Sequence, residues 1–403
     1  MARRFSLLAA AGLLILSMIP QSAGAQDEVV IGIPLAITGF HSHFGKQHYN
    51  GYKMALEEIS AQGGIRKGVF QGKKLKFLFK NDEGNSERAR VVTERLITQD
   101  KVPIIMGGYA SSEVLAIAGI TGQYGIPFLS PGGLADEITM KGWKNVFRLN
   151  RPASEYCSGL QDFMLRFVKP TSMAILFENT FFGPSTAKAM REWCKENNIK
   201  VLMFEPYEVA NADFRPLLTR VKFYRPEVIF VVSYIADAVL LTRQAAELDI
   251  DSKLFCGAAA AFVHPEHLAA LGSLGEGVMA AVLWSHDVKY MGVQKFYGNF
   301  KNKFNLPPTY HAAGAYSAAY VLQDVLERTQ SLSQEDLIKA LSDTDMMTVF
   351  GPVKFASCNK FTNQNRTPSL VLQVINGKHE TIWPPETASA QYVYPQPKWK
   401  DKR

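Results

Sequence analysis

The chain has 403 residues, 47% hydrophobic and 20% charged, with 44 Lys+Arg against 37 Asp+Glu and a net charge of +7. That length predicts about two domains, and the apolar fraction is ample for two packed cores, which excludes a disordered or fibrous chain. The basic excess is dispersed, apart from Lys398, Lys400, Lys402 and Arg403 at the end. No basic face interleaved with aromatics points to nucleic acid.

The N-terminus has the three-part layout of a secretory signal: Arg3 and Arg4, an apolar run from Leu7 to Ile19, then Ala23-Gly24-Ala25. The run is too short to span a bilayer. Residues 1–25 are expected to be removed, and the loss of Arg3 and Arg4 takes the net charge from +7 to +5. No Cys follows the small residues, so no lipid anchor is expected.

From residue 29 onward, short β-branched runs alternate with longer amphipathic segments. Residues 29–34 read as a strand and 45–62 as a helix. Strands at 75–80, 103–106 and 127–129 enclose helices at 86–99 and 111–124. After Arg148-Leu149-Asn150 the rhythm restarts, with strands at 172–177, 201–205, 227–232 and 253–256. Helices at 183–197, 213–223 and 237–248 separate them. A strand at 278–283 follows, then helices at 292–304, 312–329 and 333–341. Strands at 352–355 and 370–376 end at the Asn376-Gly377 turn, and Pro-rich sequence, expected to be extended, runs to the C-terminus. The rhythm implies parallel sheets covered on both faces, hence two doubly wound α/β units in series. In such sheets ligands bind outside the carboxyl ends of the strands. The loops to inspect are therefore 36–44, 107–112, 130–136, 178–182, 233–237 and 257–264.

Ser111 and Ser112 open a helix after a strand, where hydroxyls and free amides attract a carboxylate. A plain N-cap by Ser111 or Ser112 is the commoner role for such residues, and one Ser can cap while the other faces a cleft. In Ser130-Pro131-Gly132-Gly133, the glycines let backbone approach a ligand, but they are also ordinary turn residues. Phe182 and Tyr234 place aromatics at strand ends, which suits an apolar solute or simple local packing. His41, His43 and His48 have no acid or Cys nearby in sequence, so no metal is expected. His264 and His267 flank Pro265-Glu266, which reads as a helix start. Phosphate-binding, dinucleotide-binding and nucleophile-elbow motifs are absent, so a binding protein without cofactor is expected rather than an enzyme. Cys157, Cys194, Cys256 and Cys358 form no Cys-x-x-Cys pair, which leaves both disulfides and buried thiols open.

An ordered set of short stretches resembles the Leu/Ile/Val-binding protein family, the type I periplasmic substrate-binding proteins of ABC transporters. The set includes Ile31-Gly32-Ile33-Pro34-Leu35, Thr38-Gly39, Phe44-Gly45, Asn50-Gly51 and Gly63-Gly64-Ile65. It continues through Lys80-Asn81-Asp82, Ser111-Ser112, Ser130-Pro131-Gly132 and Phe181-Phe182-Gly183. Asp213-Phe214, Arg243-Gln244-Ala245 and Gly275-Glu276-Gly277 complete it. The matches run along nearly the whole chain after residue 25.

The resemblance implies two doubly wound parallel-sheet lobes joined by a three-crossing hinge. Lobe one is then 27–148 plus 285–350, lobe two is 150–284 plus 351–378, and 379–403 is a tail. It also implies a monomer in the periplasm that binds a small solute, an amino acid or related carboxylate, and delivers it to an ABC transporter membrane permease. A solute sensor or an exported enzyme are the other classes. By the same resemblance, Ser111 and the Gly132-Gly133 amides hold a carboxylate, and Tyr234 contributes from lobe two. Leu134 stands where the family has a threonine, and Phe182 where it has a tyrosine. The family's cysteine pair would fall at Gly84 and Ala110, so that bridge is absent. The acid that pairs with an α-ammonium should fall near Ala259, where none exists. Glu178, Asp136 and Asp237 are the loop acids left to replace it. With Phe44, Leu134, Phe182 and Ala259, the implied pocket is less polar than an amino-acid site, so aromatic or aliphatic carboxylates, or short amides, that lack an amine are the alternative ligands.

Overall fold

A computed structural model describes residues 27–258 and 260–402. The expected signal segment, residues 1–25, lies outside the described residues. The strands in chain order are β1 (Glu28–Leu35), β2 (Lys74–Asn81), β3 (Ile105–Met106), β4 (Phe128–Ser130) and β5 (Val146–Arg148). Next come β6 (Ser172–Glu178), β7 (Lys200–Tyr207), β8 (Val228–Val232), β9 (Leu254–Ala258) and β10 (Met279–Val282). The last six are β11 (Asp345–Thr348), β12 (Gly351–Lys354), β13 (Ala356–Cys358), β14 (Phe361–Gln364), β15 (Leu370–Ile375) and β16 (Lys378–Trp383).

They form two seven-stranded sheets, ordered β13-β14-β5-β4-β3-β1-β2 and β16-β15-β10-β9-β8-β6-β7, plus a β11–β12 ribbon. The first five strands of each sheet in chain order pair in parallel. In both sheets the strand order reverses beside the first of these, at β1 and at β6. Ligand crevices open at such reversals. β8 is Val-Ile-Phe-Val-Val with every residue buried, as a central strand covered on both faces must be. Each of those side chains contributes at most about 1.5–3 kcal/mol by leaving water. The helices Ser42–Ala61 and Tyr310–Arg328 pack tightly, and a Cβ on Gly51 would lie 2.3 Å from the Ala312 carbonyl oxygen. Among the described residues no helix is long and apolar enough to cross a membrane.

The chain passes from the first sheet to the second after β5, leaves it after β10, and returns between β14 and β15. The expectation that 351–378 sits wholly with the second lobe differs from this. β13 and β14 belong to the first sheet, and Gln364 pairs with Arg148 of β5. Their sequences, Ala-Ser-Cys and Phe-Thr-Asn-Gln, are short and polar and carry no strand signature. What fixes them is tertiary: Gln364 Oε1 accepts from Arg148 Nε at 2.8 Å and from Thr139 Oγ1 at 2.9 Å.

The C-terminal segment also departs from the extended tail expected for 379–403. Its first residues lie in β16, an edge strand of the second sheet. Farther on, Gln396 Oε1 accepts from Phe255 N at 2.8 Å, and Trp399 is buried with Nε1 donating to Ile250 O. All four cysteines are free thiols, with Cys157, Cys194 and Cys256 buried and Cys358 exposed.

Candidate functional site

The loops that follow β3 and β4 brace one another. The helix Ser111–Tyr124 begins without a side-chain cap. Ser111 instead reaches across, and its Oγ accepts from Leu134 N and Ala135 N, both at 3.0 Å. Gly132 N donates to Ser130 Oγ at 3.2 Å, and Gly133 N to Tyr109 O at 2.7 Å. A Cβ on Gly132 would lie 2.3 Å from Gly108 O. Gly133 has φ +60°, and its Cβ would meet Ile138 and Val114. The glycines are thus needed so that one loop can nest on the other. Their amides, expected to face a carboxylate, are already engaged within the protein.

Arg148 anchors the same loop from behind. It is fully buried and donates to Leu134 O (3.0 Å), Ala135 O (2.6 Å) and Thr139 Oγ1 (2.9 Å). Burial lowers its pKa to about 9, partly offset by Asp136, Glu155 and Glu137 at longer range.

Between the two sheets' carboxyl ends lies a cavity. Its walls are Tyr109, Ala110, Ser111, Gly132, Gly133 and Leu134 on one side, with Phe182 and Tyr234 opposite. Asn150, Tyr310 and His311 complete it. Its interior free space is about 30 Å³. Of the residues expected at the site, Ser111, Gly132, Gly133, Leu134, Phe182 and Tyr234 line this space. Phe44 lies behind it, stacked on Tyr109 with centroids 4.7 Å apart. Ser112 turns away and donates to Glu113 Oε2 at 2.7 Å. Ala259 lies outside the described residues. Asn150, Tyr310 and His311 were not foreseen. Asn150 marks the point where the strand–helix rhythm restarts, and Tyr310 opens a helix after Pro307-Pro308. Those were the only signals available.

Among the described residues, no lining side chain is a carboxylate, an ammonium or a guanidinium. Burial holds the His311 imidazole well below its ordinary pKa, so it is neutral. The three loop acids that could receive an ammonium are engaged elsewhere. Asp136 accepts from Ser154 N and Lys360 Nζ, both at 2.9 Å. Glu178 accepts from Thr180 N (2.5 Å) and Gly183 N (2.6 Å) at the start of the helix Phe182–Glu196. Asp237 accepts from Ala210 N at 3.1 Å, and burial raises its pKa to about 6.

Beside the cavity, His41 Nδ1 meets Glu113 Oε1 at 2.7 Å, an acid 72 residues away that the local sequence could not reveal. An aromatic seam joins the two sheets' loops here. His41 lies 4.9 Å from Tyr234, Phe40 5.9 Å from Tyr234, and Phe44 5.4 Å from His264, centroid to centroid. At its edge, His43 Nδ1 and Glu266 Oε2 are 2.5 Å apart and half-exposed.

Residues 28–378 match the family described as periplasmic binding protein. The chain belongs to that family. This periplasmic binding protein is 24% identical over 401 residues to Leu/Ile/Val-binding protein homolog 7 of Brucella melitensis, a match covering 94% of this chain and 97% of the relative. Its fold is similar to that of the branched-chain amino acid transporter substrate binding protein LivJ from Streptococcus pneumoniae, solved in complex with isoleucine. That likeness has a TM-score of 0.79 and 22% identity, covering 91% of this chain and 99% of LivJ. It is equally similar to a solute binding protein of an ABC transporter from Rhodopseudomonas palustris BisB5, in complex with 3,4-dihydroxybenzoic acid. There the TM-score is 0.78 with 20% identity, covering 88% and 96% of the two chains. The expected family, fold and class, a substrate-binding protein of the ABC-transporter type, all hold.

Proposed function

We propose that this periplasmic binding protein captures an amine-free organic acid, foremost an aromatic carboxylate, and delivers it to an ABC transporter permease. The observation that carries the reading is the uncharged lining of the interlobe cavity, with Asp136, Glu178 and Asp237 each committed to structural bonds. An α-ammonium sealed there without a counter-charge is strongly disfavoured.

A carboxylate fares better. Ser111 Oγ already accepts two N–H groups, so its own proton is what it has to give. It sits at a helix N-terminus, where the backbone dipoles favour an anion. The Arg148 guanidinium holds the carbonyls of the same loop from the far side. Tyr109, Phe182, Tyr234 and Tyr310 offer flat apolar faces with phenolic donors at three of their tips. The R. palustris relative holds a ligand of this class and LivJ holds isoleucine. The lining favours the first kind.

The lobes of this reading follow the sheets: 27–148 with 285–364, and 150–284 with 370–383. Free space of about 30 Å³ admits about two waters. Entry of an organic acid therefore requires the lobes to part. A solute bridging Ser111 to Phe182 and Tyr234 stabilises the closed form by touching both sides. Residues 1–25 direct export to the periplasm, and the protein acts as a monomer.

The test is a thermal-shift panel of aromatic acids, aliphatic acids and amino acids, since a ligand of the folded state raises the melting temperature by linkage. Aromatic acids raise it and Leu, Ile and Val do not. A shift with the amino acids alone overturns the reading.

A further inference from the structure

Asn150 stands at the first crossing between the two sheets and lines the cavity. It is 1% exposed. Its Nδ2 donates to Pro131 O at 2.7 Å, which fixes which way the amide faces. Its Oδ1 is sealed from solvent and has no hydrogen-bond partner among the described residues. Native interiors keep such groups rare, because an acceptor stripped of water and left unpaired costs stability. Other buried polar atoms lack partners too, among them His48, His267 and Tyr52, but none of those side chains lines the cavity.

We propose that Asn150 Oδ1 is a specificity-determining acceptor, and that the solute is an aromatic acid bearing a hydroxyl whose proton it receives. This rests on the amine-free reading of the cavity. The two ends of the site have opposite polarity. Ser111 gives a proton, because both lone pairs of its oxygen are occupied, and Asn150 takes one. An acid group matches the first end and an O–H the second. A hydroxyl supplies one donor and no surplus. An ammonium or primary amide would bring additional N–H groups into walls that hold no carboxylate to receive them.

The position also couples recognition to closure. The Asn150 carbonyl accepts from Gln364 Nε2 at 2.6 Å, and Asn365 Nδ2 donates to Leu149 O at 3.0 Å. A donor seated on Asn150 therefore binds directly to the joined crossing strands.

Titration calorimetry with benzoate and the three monohydroxybenzoates tests this, on the wild type and on Asn150→Leu. At least one hydroxybenzoate binds the wild type about tenfold tighter than benzoate, a difference of about 1.4 kcal/mol. In Asn150→Leu the ratio of hydroxybenzoate to benzoate affinity falls to about one, whatever the substitution does to the affinity for benzoate itself. Hydroxybenzoates no tighter than benzoate in the wild type, or an advantage that survives the substitution, overturn the assignment while leaving the amine-free reading intact. Binding of Leu or Ile with none of the four acids overturns that reading and this assignment together. Should Asn150→Leu fail to fold, Asn150→Ala carries the comparison, and the wild-type ranking decides by itself.

Discussion

His41 Nδ1 and Glu113 Oε1 lie 2.7 Å apart in a buried pair joining the loop after β1 to the helix after β3. Burial alone would raise the Glu113 pKa. The His41 hydrogen bond and charge, with the Ser112 hydroxyl, outweigh it and leave the carboxyl below its ordinary value. Removing one partner of such a pair leaves the other charge sealed and unpaired. His41→Ala is expected to cost about 3–5 kcal/mol in urea unfolding at pH 7. Adding Glu113→Gln to that variant recovers part of the loss. A double variant no more stable than His41→Ala contradicts the pairing. Because Glu113 is depressed, its contribution is present above the ordinary carboxyl value and is lost as pH falls through the folded one.

Asp82 behaves in the opposite sense. Burial, reinforced by Glu113, raises its pKa to about 7, and its Oδ2 has no partner among the described residues. A carboxyl whose folded pKa is raised favours folding below its unfolded value near 4, and that contribution is lost as pH rises through about 7. Asp82→Asn keeps an acceptor for Gly84 N, which now donates to Oδ1 at 2.9 Å. The variant is expected to be more stable than the wild type by about 4 kcal/mol at pH 8, with the gap closing towards pH 4. Parallel urea titrations at the two pH values measure it, and a destabilised variant at pH 8 refutes it.

Ser111→Ala has two separable effects. The substitution strands the Leu134 and Ala135 amides, which costs about 1–3 kcal/mol of stability. It also removes the donor assigned to the solute, weakening carboxylate binding by at least about tenfold. Calorimetric affinity and chemical denaturation must both be read. A loss of stability with unchanged affinity makes Ser111 a loop brace and nothing more.

Thiol reactivity checks the cysteine placement. Burial raises the thiol pKa of Cys157 and Cys256 and pushes that of Cys194 up to about 12, so each is both inaccessible and protonated. A chromogenic disulfide reagent is expected to modify Cys358 alone in the native protein and all four thiols in denaturant. Fewer than four in denaturant, without reductant, would mean that a disulfide has formed.

Much of the architecture was legible because parallel buried strands announce themselves. Ile229-Phe230-Val231-Val232 and its counterparts are apolar, uninterrupted and flanked by helical periodicity. β13 and β14 escaped because tertiary bonds, Arg148 to Gln364 and Asn365 Nδ2 to Leu149 O, hold β14 in place and β13 pairs with it, not local propensity. The tail misled in the same way: its prolines suggested an extended exit, yet Gln396 and Trp399 fasten it to the second sheet. At the site, strand-end loops pointed to Ser111, Leu134, Phe182 and Tyr234. Asn150, Tyr310 and His311 sit at a crossing and a helix start, and only the three-dimensional arrangement brings them to the same cavity. The Gly132 and Gly133 amides were read as free because sequence cannot show that Ser130 and Tyr109 already use them.

The central claim is that an uncharged cavity selects an amine-free acid. Its most direct test is calorimetric titration of one preparation at pH 7 with benzoate and with L-leucine, each followed by the other as competitor. The account predicts saturable one-to-one binding of benzoate that leucine does not displace. Saturable binding of leucine, undisturbed by benzoate, would contradict it and require a carboxylate in the cleft to receive the ammonium.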